Sequence, residues 1–437
     1  MMKTVIMAGG RGSRIADLFP DIPKPLVPIS DSTGVSKPVL EWEIESLVEQ
    51  GFKDIILTVG YRARQIQEYF GNGSHLGVKI DYYVEETPLG NAGALFKLNL
   101  RDDFLLLNAD AMFDVDFNRM ISFHHAHNAL VTLFTHPNSH PYDSGLIIAD
   151  NSGSVQRWLT KEDKRPEFYK NCVNAGVHVI NPKVLRLSGI DASSVGKEKN
   201  GKVIKVDLDR NILKPLCGSH TMFAYNSPEY VKDMGTPERF YSVSHDFKSG
   251  VVKAKNLNQP QKAIFLDRDG TINRYVGFLH KPSEFELLPG VAEAIRKINS
   301  SGYLAIVVTN QPVVARGETT FSELNEIHMK METLLGEQGA YIDGLYYCPH
   351  HPHSGFDGEV KELKIDCDCR KPKPGMILKA AEDFNISLTE SWMIGDGEND
   401  VKAGQAAGCK TAFIGDENVG QDCMVRSLLE FTKKYLI

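Results

Sequence analysis

Residues 263–272 read AIFLDRDGTI, a stretch that joins a strand-like apolar run to two aspartates and a glycine. Side chains two residues apart in an extended chain project to the same side, so Asp267 and Asp269 face one place. Two carboxylates this close repel each other unless a cation lies between them. The stretch therefore predicts a magnesium site at the C-terminal end of a strand, where open α/β sheets bind their ligands.

Three later stretches place polar residues at comparable positions. LAIVVTN ends a predicted strand with Thr309, and MIGDGEND ends another with Asp396 and adds Asp400. CRKPKPG places Lys371 before a predicted helix. Because the strand ends of a parallel sheet meet at one edge, we expect these groups to surround one phosphate group.

Short apolar runs alternate with amphipathic stretches along all 437 residues, which predicts an α/β protein with mostly parallel sheets. The length exceeds the roughly 100–200 residues of one typical domain, and the pattern restarts after a polar stretch. We predict an N-terminal domain over 1–245, a linker over 246–261 and a C-terminal domain over 262–437.

Charge and hydropathy limit the partners. The formal net charge is −7, so a basic nucleic-acid-binding surface is not indicated. No apolar run approaches the roughly 20 residues that span a bilayer, and the start, MMKTVIMAGG, does not read as a secretory signal. We expect a cytoplasmic enzyme that binds small molecules, with no nucleic-acid or membrane partner. The sequence does not determine the oligomeric state.

Three of the seven cysteines lie beside histidines in one short region. Three thiolates and one imidazole suit a closed tetrahedral zinc site, and the candidates here are Cys348, His350, Cys367 and Cys369. His351 and His353 compete with His350, and spacing alone does not separate them. Arg370 and Lys371 follow the last cysteine directly, so bound zinc would fix two cations in place.

The phosphate-binding motifs, in this order, resemble the haloacid dehalogenase superfamily over nearly all of residues 262–415. The resemblance implies that Asp267 attacks phosphorus and becomes an aspartyl phosphate, while Asp269 acts as general acid and base. Thr309 and Lys371 would bind the phosphoryl group. Mg²⁺ would be held by Asp267, the backbone carbonyl of Asp269 and Asp396.

The block CPHHPH…CDCRKPKPGM further resembles one branch, the D-glycero-D-manno-heptose 1,7-bisphosphate and histidinol-phosphate phosphatases. This branch implies that His350 is the imidazole ligand of the zinc. It also implies substrate contacts from Asn310, Gln311, Arg370, Lys371 and the loop that begins at Tyr275. Pro312 and Val313 depart from the family, which usually has serine or threonine and then glycine there.

The N-terminal half opens with a predicted strand and a glycine-rich turn, MAGGRGSRI. The turn lacks the GK[ST] of a Walker A loop, but its backbone N–H groups can wrap a triphosphate. Lys24 lies between two prolines, which suits a rigid phosphate-contacting cation. Asp110 and Asp233 are far apart in sequence, and both can contribute to one Mg²⁺ site.

The motifs AGGxGSR, PKPL, LGNAGAL, NAD, NAGVHV and DMGTPE resemble the sugar-1-phosphate nucleotidylyltransferases, of the D-glycero-D-manno-heptose 1-phosphate guanylyltransferase type, over about residues 3–240. The two resemblances imply a Rossmann-like mixed sheet in the N-terminal domain and a Rossmannoid parallel sheet with a zinc loop in the C-terminal domain. Lys24 would stabilise the α-phosphate, and Asp110 and Asp233 would hold Mg²⁺. The remaining substrate contacts implied are Gly9, Gly10, Gly12, Arg14, Gly90, Asn174 and Gly176.

Two substrate contacts follow the family pattern less closely. The family commonly holds the sugar phosphate with Glu-Lys-Pro, where this chain has Thr160 and Lys161, so Lys161 is our candidate. Glu85 and Glu86 precede LGNAGAL, near the expected place of the base. A carboxylate can accept from guanine N1–H and N2–H₂, which favours GTP; the alternative is two solvated loop residues.

The two implied activities are consecutive on one sugar. Removing the 7-phosphate of heptose 1,7-bisphosphate leaves heptose 1-phosphate, which a guanylyltransferase would convert to GDP-D-glycero-α-D-manno-heptose for lipopolysaccharide or other surface-glycan biosynthesis. The alternatives are the same activities on another sugar phosphate, or a histidinol-phosphate phosphatase with a regulatory nucleotidyltransferase-like domain. Arg14, Lys24, Asp110 and Asp233 are all present, which argues against a regulatory N-terminal half.

Overall fold

The computed structural model describes residues 2–12, 14–199 and 201–436, so Ser13 of the glycine-rich turn lies outside the description. The chain divides into two compact units. Unit 1 comprises Met1–Thr135, Ile147–Trp158 and Asn174–Asn256. Unit 2 comprises His136–Leu146, Leu159–Val173 and Leu257–Ile437.

The division differs in detail from the boundaries predicted above. The last change of unit falls between Asn256 and Leu257, and the stretch around it is partly helical rather than an extended linker. Two segments of the N-terminal half also cluster with unit 2. The backbone N–H of Asn171 donates to a carboxylate oxygen of Glu332 over 2.7 Å within that unit. Hydrophobic patterning did not predict that these two segments belong to unit 2, because it reports local structure only.

Strands and helices alternate along the chain, as the sequence predicts. The strands are β1 (Lys3–Ala8), β2 (Pro28–Ser30), β3 (Ser36–Pro38), β4 (Asp54–Val59), β5 (Lys79–Val84), β6 (Phe104–Asn108), β7 (Ala111–Asp114), β8 (Val131–His136), β9 (Leu146–Ala149), β10 (Val155–Leu159), β11 (Val173–Ile180), β12 (Glu198–Lys199), β13 (Lys202–Val203), β14 (Met222–Asn226), β15 (Tyr230–Asp233), β16 (Lys262–Leu266), β17 (Tyr303–Asn310), β18 (Gly344–Cys348), β19 (Trp392–Gly395), β20 (Lys410–Ile414) and β21 (Cys423–Val425). The α-helices are α1 (Val39–Glu49), α2 (Ala63–Phe70), α3 (Phe117–Ala126), α4 (Lys183–Leu187), α5 (Pro237–Lys248), α6 (Val251–Ala254), α7 (Val291–Asn299), α8 (Phe321–Glu337), α9 (Gly375–Phe384), α10 (Glu398–Ala407) and α11 (Leu428–Tyr435). Within the described ranges, none of these helices combines the length and apolarity needed to cross a membrane.

Unit 1 is built on a mixed sheet with the strand order β10–β9–β11–β6–β1–β4–β5, and β8 joins β14 to β11. The strands β6, β1, β4 and β5 are parallel, whereas β11 runs antiparallel to β6. Ile6 and Leu107 of this sheet pack with Leu40 and Ile44 of α1 in one core. The parallel strands are nearly all apolar because helices bury them. Their C-terminal ends lead into the glycine-rich turn and into Asp110.

Unit 2 is built on a parallel sheet with the strand order β18–β17–β16–β19–β20–β21. Alternate residues of β16 face opposite sides: Ile264 and Leu266 pack with α7, α8 and α11, whereas Ala263 and Phe265 pack with α9 and α10. Helices therefore cover both faces, and polar groups collect at the strand ends. The predicted fold class, two α/β domains with one mixed and one parallel sheet, is confirmed.

Candidate active sites

A cavity of about 390 Å³ lies in unit 2, at the C-terminal ends of β16, β17 and β19. Nine residues predicted from the sequence line it: Asp267, Asp269, Tyr275, Thr309, Asn310, Gln311, Arg370, Lys371 and Asp396. Asp400, which the sequence also placed near the expected phosphate but without a specific role, lines it as well. Residues up to 133 positions apart thus surround one small space, because successive parallel strands end there.

Lys371 is the cation at the centre of this cavity. Its Nζ donates to Asp267 Oδ1 over 2.7 Å, to Asp400 Oδ1 over 2.5 Å and to the backbone oxygen of Val308 over 2.8 Å. Burial disfavours the ammonium, but the charges of Asp267 and Asp400 outweigh it and raise the pKa of Lys371 to about 12. Lys371 is therefore a fixed positive charge beside Asp267.

Three carboxylates form the acidic side of the cavity. Oxygens of Asp267, Asp396 and Asp400 lie within 4.8 Å of one another. Burial, followed by the charge of Asp400, raises the pKa of Asp267 to about 6, and burial likewise raises the pKa of Asp396 to about 6. Gly270 has a φ of +83°, and a Cβ there would lie 1.9 Å from Asp396 Oδ2, so only glycine permits this packing. Such an oxygen-rich, anionic cluster suits Mg²⁺.

Asp269 is held by three side-chain donors. Its carboxylate accepts from Arg268 Nη2 over 2.8 Å, from Gln311 Nε2 over 2.8 Å and from Asn273 Nδ2 over 2.9 Å. Arg268 is completely buried, an unusual position for arginine. Sequence analysis missed Arg268 and Asn273; the only signal for Arg268 was its place between the two aspartates.

Hydrogen bonds fix the remaining cavity groups. Thr309 Oγ1 accepts from Gln311 Nε2 over 2.9 Å. The side chain of Asn310 accepts from the backbone N–H of Lys371 and donates to its backbone oxygen, both over 3.0 Å. Arg370 Nη1 donates to the backbone oxygen of His350 over 3.1 Å. The end of β17 and the cysteine-rich loop therefore jointly position Arg370 and Lys371.

The predicted zinc ligands come together in the same unit. The three sulfurs of Cys348, Cys367 and Cys369 lie 3.2–3.5 Å apart, and His350 Nδ1 lies 3.3 Å from Cys369 Sγ. A tetrahedral zinc with Zn–S bonds of about 2.3 Å needs sulfurs about 3.8 Å apart, so only small shifts are required. The ligand set fits zinc, and it contains His350 rather than His351 or His353.

A second, larger cavity of about 850 Å³ lies in unit 1. Predicted residues that line it are Gly9, Gly10, Gly12, Lys24, Glu85, Gly90 and Asp110. Arg11 of the glycine-rich turn and Glu86 line it as well, and so do Asn108 and Lys205, which were not predicted as substrate contacts. Gly90 has a φ of +85°, and a Cβ there would meet the backbone oxygen of Val206 at 2.3 Å. The contact with Val206 holds the neighbouring Lys205 at the cavity wall.

The charged groups of this cavity are partly paired with one another. Lys24 Nζ lies 2.9 Å from Asp110 Oδ2. Strands β7 and β15 pair so that Asp233 lies opposite Ala111, next to Asp110. Asp233 Oδ2 accepts from Arg239 Nη1 over 2.5 Å. A Cβ at Gly235 would meet Asp233 Oδ1 at 2.8 Å and Arg14 Nη2 at 3.0 Å, so both side chains lie beside this glycine.

Of the remaining predicted substrate contacts, Glu85, Asn174 and Gly176 belong to unit 1, whereas Lys161 does not. Glu85 Oε2 accepts from the backbone N–H of Leu89 over 3.1 Å, and burial raises its pKa. Asn108 Nδ2 donates over 3.2 Å to the backbone oxygen of Gly176, which follows Asn174 on β11. Lys161 belongs to unit 2 and is not among the described residues that line the unit 1 cavity.

Comparison with known proteins finds a matching family for each half of the chain. The model of the nucleotidyl transferase family matches residues 3–250, and that of the haloacid dehalogenase-like hydrolases matches residues 232–408. A D-glycero-beta-D-manno-heptose-1,7-bisphosphate 7-phosphatase from Salmonella typhi is 41% identical over 165 residues, which cover 38% of this chain and 80% of that protein. The Haemophilus influenzae protein of the same name is 46% identical over 149 residues, covering 34% of this chain and 78% of that protein. The crystal structure of HddC from Yersinia pseudotuberculosis is 25% identical, covers 57% of this chain and all of that one, and superposes with a TM-score of 0.45.

These matches confirm the two predicted families and the enzyme class of each half. The N-terminal half is a nucleotidyltransferase, and the C-terminal half is a phosphomonoesterase. The chain belongs to the nucleotidyl transferase family through residues 3–250 and, through its C-terminal half, to the haloacid dehalogenase-like family that includes the heptose 1,7-bisphosphate 7-phosphatases.

Proposed function

We propose that the C-terminal domain hydrolyses the 7-phosphate of D-glycero-D-manno-heptose 1,7-bisphosphate, and that the N-terminal domain transfers GMP to the resulting heptose 1-phosphate. The observation that carries the phosphatase half is the contact of Lys371 with both Asp267 and Asp400 inside a small cavity. The sugar is proposed from the relatives that match this half.

Asp267 supplies the nucleophile of the first step. One of its oxygens bonds to the 7-phosphorus while the bond from phosphorus to the sugar oxygen breaks. Asp269 gives its proton to that leaving oxygen. A water oxygen then bonds to the phosphorus of the aspartyl phosphate while the bond from phosphorus to the Asp267 oxygen breaks. Asp269 takes up a proton of that water, and phosphate leaves with the carboxylate of Asp267 restored. Lys371 and Thr309 stabilise the equatorial oxygens of the phosphoryl group.

Asp267, Asp396 and the backbone carbonyl of Asp269 would hold Mg²⁺, with Asp400 close by. The ion would neutralise charge on the phosphoryl oxygens. Zinc on Cys348, His350, Cys367 and Cys369 would be structural, because four protein ligands leave no open position. The zinc would keep Arg370 aimed at the substrate. Asn310, Gln311 and Tyr275 would also contact the substrate.

The nucleotidyl transfer needs no protein nucleophile. An oxygen of the sugar 1-phosphate attacks the α-phosphorus, and pyrophosphate leaves, so positioning and charge neutralisation carry the catalysis. Gly9, Gly10, Gly12 and Arg14 would bind the triphosphate, and Asp110 and Asp233 would hold Mg²⁺. Lys24 would then exchange Asp110 for the α-phosphate.

The sugar and the base would occupy the unit 1 cavity as well. Gly90, Asn174 and Gly176 would border the sugar, with Lys161 as the sugar-phosphate cation. Lys205 is a second candidate cation, because its exposed side chain lies at the cavity wall. Glu85 would accept from guanine, which its position in the cavity and its partial burial support.

The two steps in this order would yield GDP-heptose for surface-glycan assembly, in the cytoplasm. The domain boundaries proposed are 1–245 and 262–437. To test the proposal, each anomer of the bisphosphate is supplied with Mg²⁺ and each nucleoside triphosphate in turn, and phosphate and pyrophosphate are measured separately. We expect phosphate without nucleotide and pyrophosphate with GTP. No pyrophosphate from any pairing would contradict the transferase assignment of substrate.

A further inference from the structure

The buried guanidinium of Arg268 connects the proposed acid of the phosphatase with helix α8. At one end of its fork, Nη2 donates to Asp269 Oδ2 over 2.8 Å and to Gln311 Oε1 over 3.0 Å. At the other end, Nη1 lies 3.3 Å from Nε2 of His328. A completely buried cation needs partners for its donors, because an unpaired buried charge is strongly destabilising.

His328 can meet Arg268 only as an acceptor. Arginine has no acceptor atom and stays protonated in proteins, so Nε2 of His328 must carry no proton. Burial, and then the positive charge of Arg268, hold the pKa of His328 well below its ordinary value, which agrees with a neutral ring. The imidazole is therefore a permanent acceptor in this environment.

The ring of His328 is itself held on two sides. The residue lies on the 17-residue helix α8 and is only 4% exposed. Its ring centroid lies 5.3 Å from that of Tyr347, which immediately precedes the zinc-ligand candidate Cys348. Packing thus fixes the acceptor atom, and the acceptor fixes the free end of the Arg268 fork.

We propose that His328 is a positioning residue of the phosphatase, which holds Arg268 so that Arg268 directs the carboxyl group of Asp269 towards the leaving oxygen. Without the acceptor, Nη1 would lose its buried partner and the guanidinium would turn to find another. Asp269 would then lose the Arg268 contact that helps to fix its direction. The inference rests on the proposed role of Asp269 as the proton donor to the leaving oxygen.

The inference predicts that the loss of activity depends on the leaving group of the substrate. A sugar alkoxide leaves poorly and needs the proton, whereas p-nitrophenolate leaves readily without one. Loss of His328 should therefore lower kcat/KM, which reports the steps up to departure of the leaving group, far more for a sugar phosphate than for p-nitrophenyl phosphate. A residue needed only for folding would reduce both activities by the same factor.

The test uses the full chain with heptose 1,7-bisphosphate and p-nitrophenyl phosphate as substrates. His328→Leu removes the acceptor, whereas His328→Gln retains an acceptor oxygen near the place of Nε2. We expect His328→Leu to lower kcat/KM for the bisphosphate roughly 10–100-fold, as a misplaced catalytic group does. The quantity compared is kcat/KM, because it excludes hydrolysis of the aspartyl phosphate, in which Asp269 acts as base for both substrates. We expect less than about a threefold loss with p-nitrophenyl phosphate, and His328→Gln within about threefold of the unchanged enzyme on both substrates.

Met331→Leu is the matched control, because Met331 is buried on the same helix and belongs to its apolar core. If His328→Leu does not fold, His328→Asn, which is polar but too short to reach Arg268, replaces it. Equal losses of kcat/KM on both substrates, or equal activity of the Leu and Gln variants, would overturn the inference. Asp269→Asn separates the two proposals: if its kcat/KM values depend on the leaving group and those of His328→Leu do not, only the inference about His328 fails. If Asp269→Asn lowers kcat/KM equally for both substrates, the acid role of Asp269 fails.

Discussion

The unit 1 and unit 2 cavities described above would meet phosphate groups in opposite ways. In unit 2 Lys371 already contacts Asp267, the nucleophile candidate, and Asp400 in a cavity of about 390 Å³. In unit 1 the cavity is about 850 Å³, and Lys24 contacts Asp110, whose side chain is 49% exposed. A protein nucleophile must be placed before the substrate arrives, whereas transfer between two bound substrates needs room for both. Preassembly is therefore what we expect of the site in which, in our proposal, the protein itself forms a covalent bond.

The largest effect expected is that of Asp267→Asn. Removing a covalent nucleophile typically costs several orders of magnitude, so phosphate release should fall by about 10⁴-fold or more. Pyrophosphate release from preformed heptose 1-phosphate should not change, because that site has its own groups. Asp416→Asn, at an exposed aspartate, is the control. Loss of both activities in a folded Asp267→Asn protein would contradict the separation of the sites.

Lys24→Ala tests the unit 1 site. Losing one charge-stabilising donor typically costs about 10²–10³-fold, so pyrophosphate release should fall by that amount. Phosphate release should stay unchanged. Lys53→Ala, at an exposed lysine, should affect neither activity. The two-site account is wrong if Lys24→Ala also abolishes phosphate release.

Zinc binding should affect only the phosphatase site of unit 2. We expect about one equivalent of zinc in the purified protein, lost in Cys367→Ser, with phosphate release reduced roughly 10–100-fold because Arg370 and Lys371 lose their support. Pyrophosphate release should persist. Cys423→Ser, outside the cluster, should retain the metal and both activities. Retention of zinc in Cys367→Ser would rule out this ligand set.

Magnesium binding to unit 2 should depend on pH. Burial raises the pKa of Asp267 and Asp396 to about 6, so the folded metal-free protein binds protons there that an unfolded chain releases near pH 4. Their contribution to stability therefore falls as pH rises from about 4 to above 6. Mg²⁺ requires both carboxylates, so its affinity should rise by about tenfold or more per pH unit below pH 6.

The matching measurement is the shift in melting temperature caused by Mg²⁺. It should be small at pH 5, grow through pH 6 and level off above pH 7. Asp396→Asn should reduce the shift at every pH. A shift that is the same at pH 5 and pH 7 would contradict the assignment of these carboxyls as the metal site.

Sequence reasoning reached the residues at or directly after the C-terminal ends of strands. Asp267, Thr309 and Asp396 were predictable because hydrophobic patterning locates the strands, and parallel strand ends converge. The contact between Arg268 and His328 was not predictable, because 60 residues separate them and only the packing of α8 brings them together. The same holds for the Asp400 contact with Lys371. Local patterns locate elements, whereas tertiary packing chooses their partners.

The unit 1 cavity shows a different limit. Its glycine positions and Lys24 follow from a local motif, but Lys205 reaches the wall through the contact of Val206 with Gly90, 116 residues earlier. Nothing in the local sequence of His136–Leu146 and Leu159–Val173 likewise indicates that these segments belong to unit 2. Composition and spacing do not encode such pairings between distant segments.

The most direct test of the central claim, two separate sites that act in sequence on one sugar, is complementation in solution. Asp267→Asn and Lys24→Ala proteins are each incubated with heptose 1,7-bisphosphate, GTP and Mg²⁺, first alone and then mixed, and pyrophosphate is measured. We predict almost none from either variant alone and release near that of the unchanged protein from the mixture. Pyrophosphate from Asp267→Asn alone, or none from the mixture, would contradict the account.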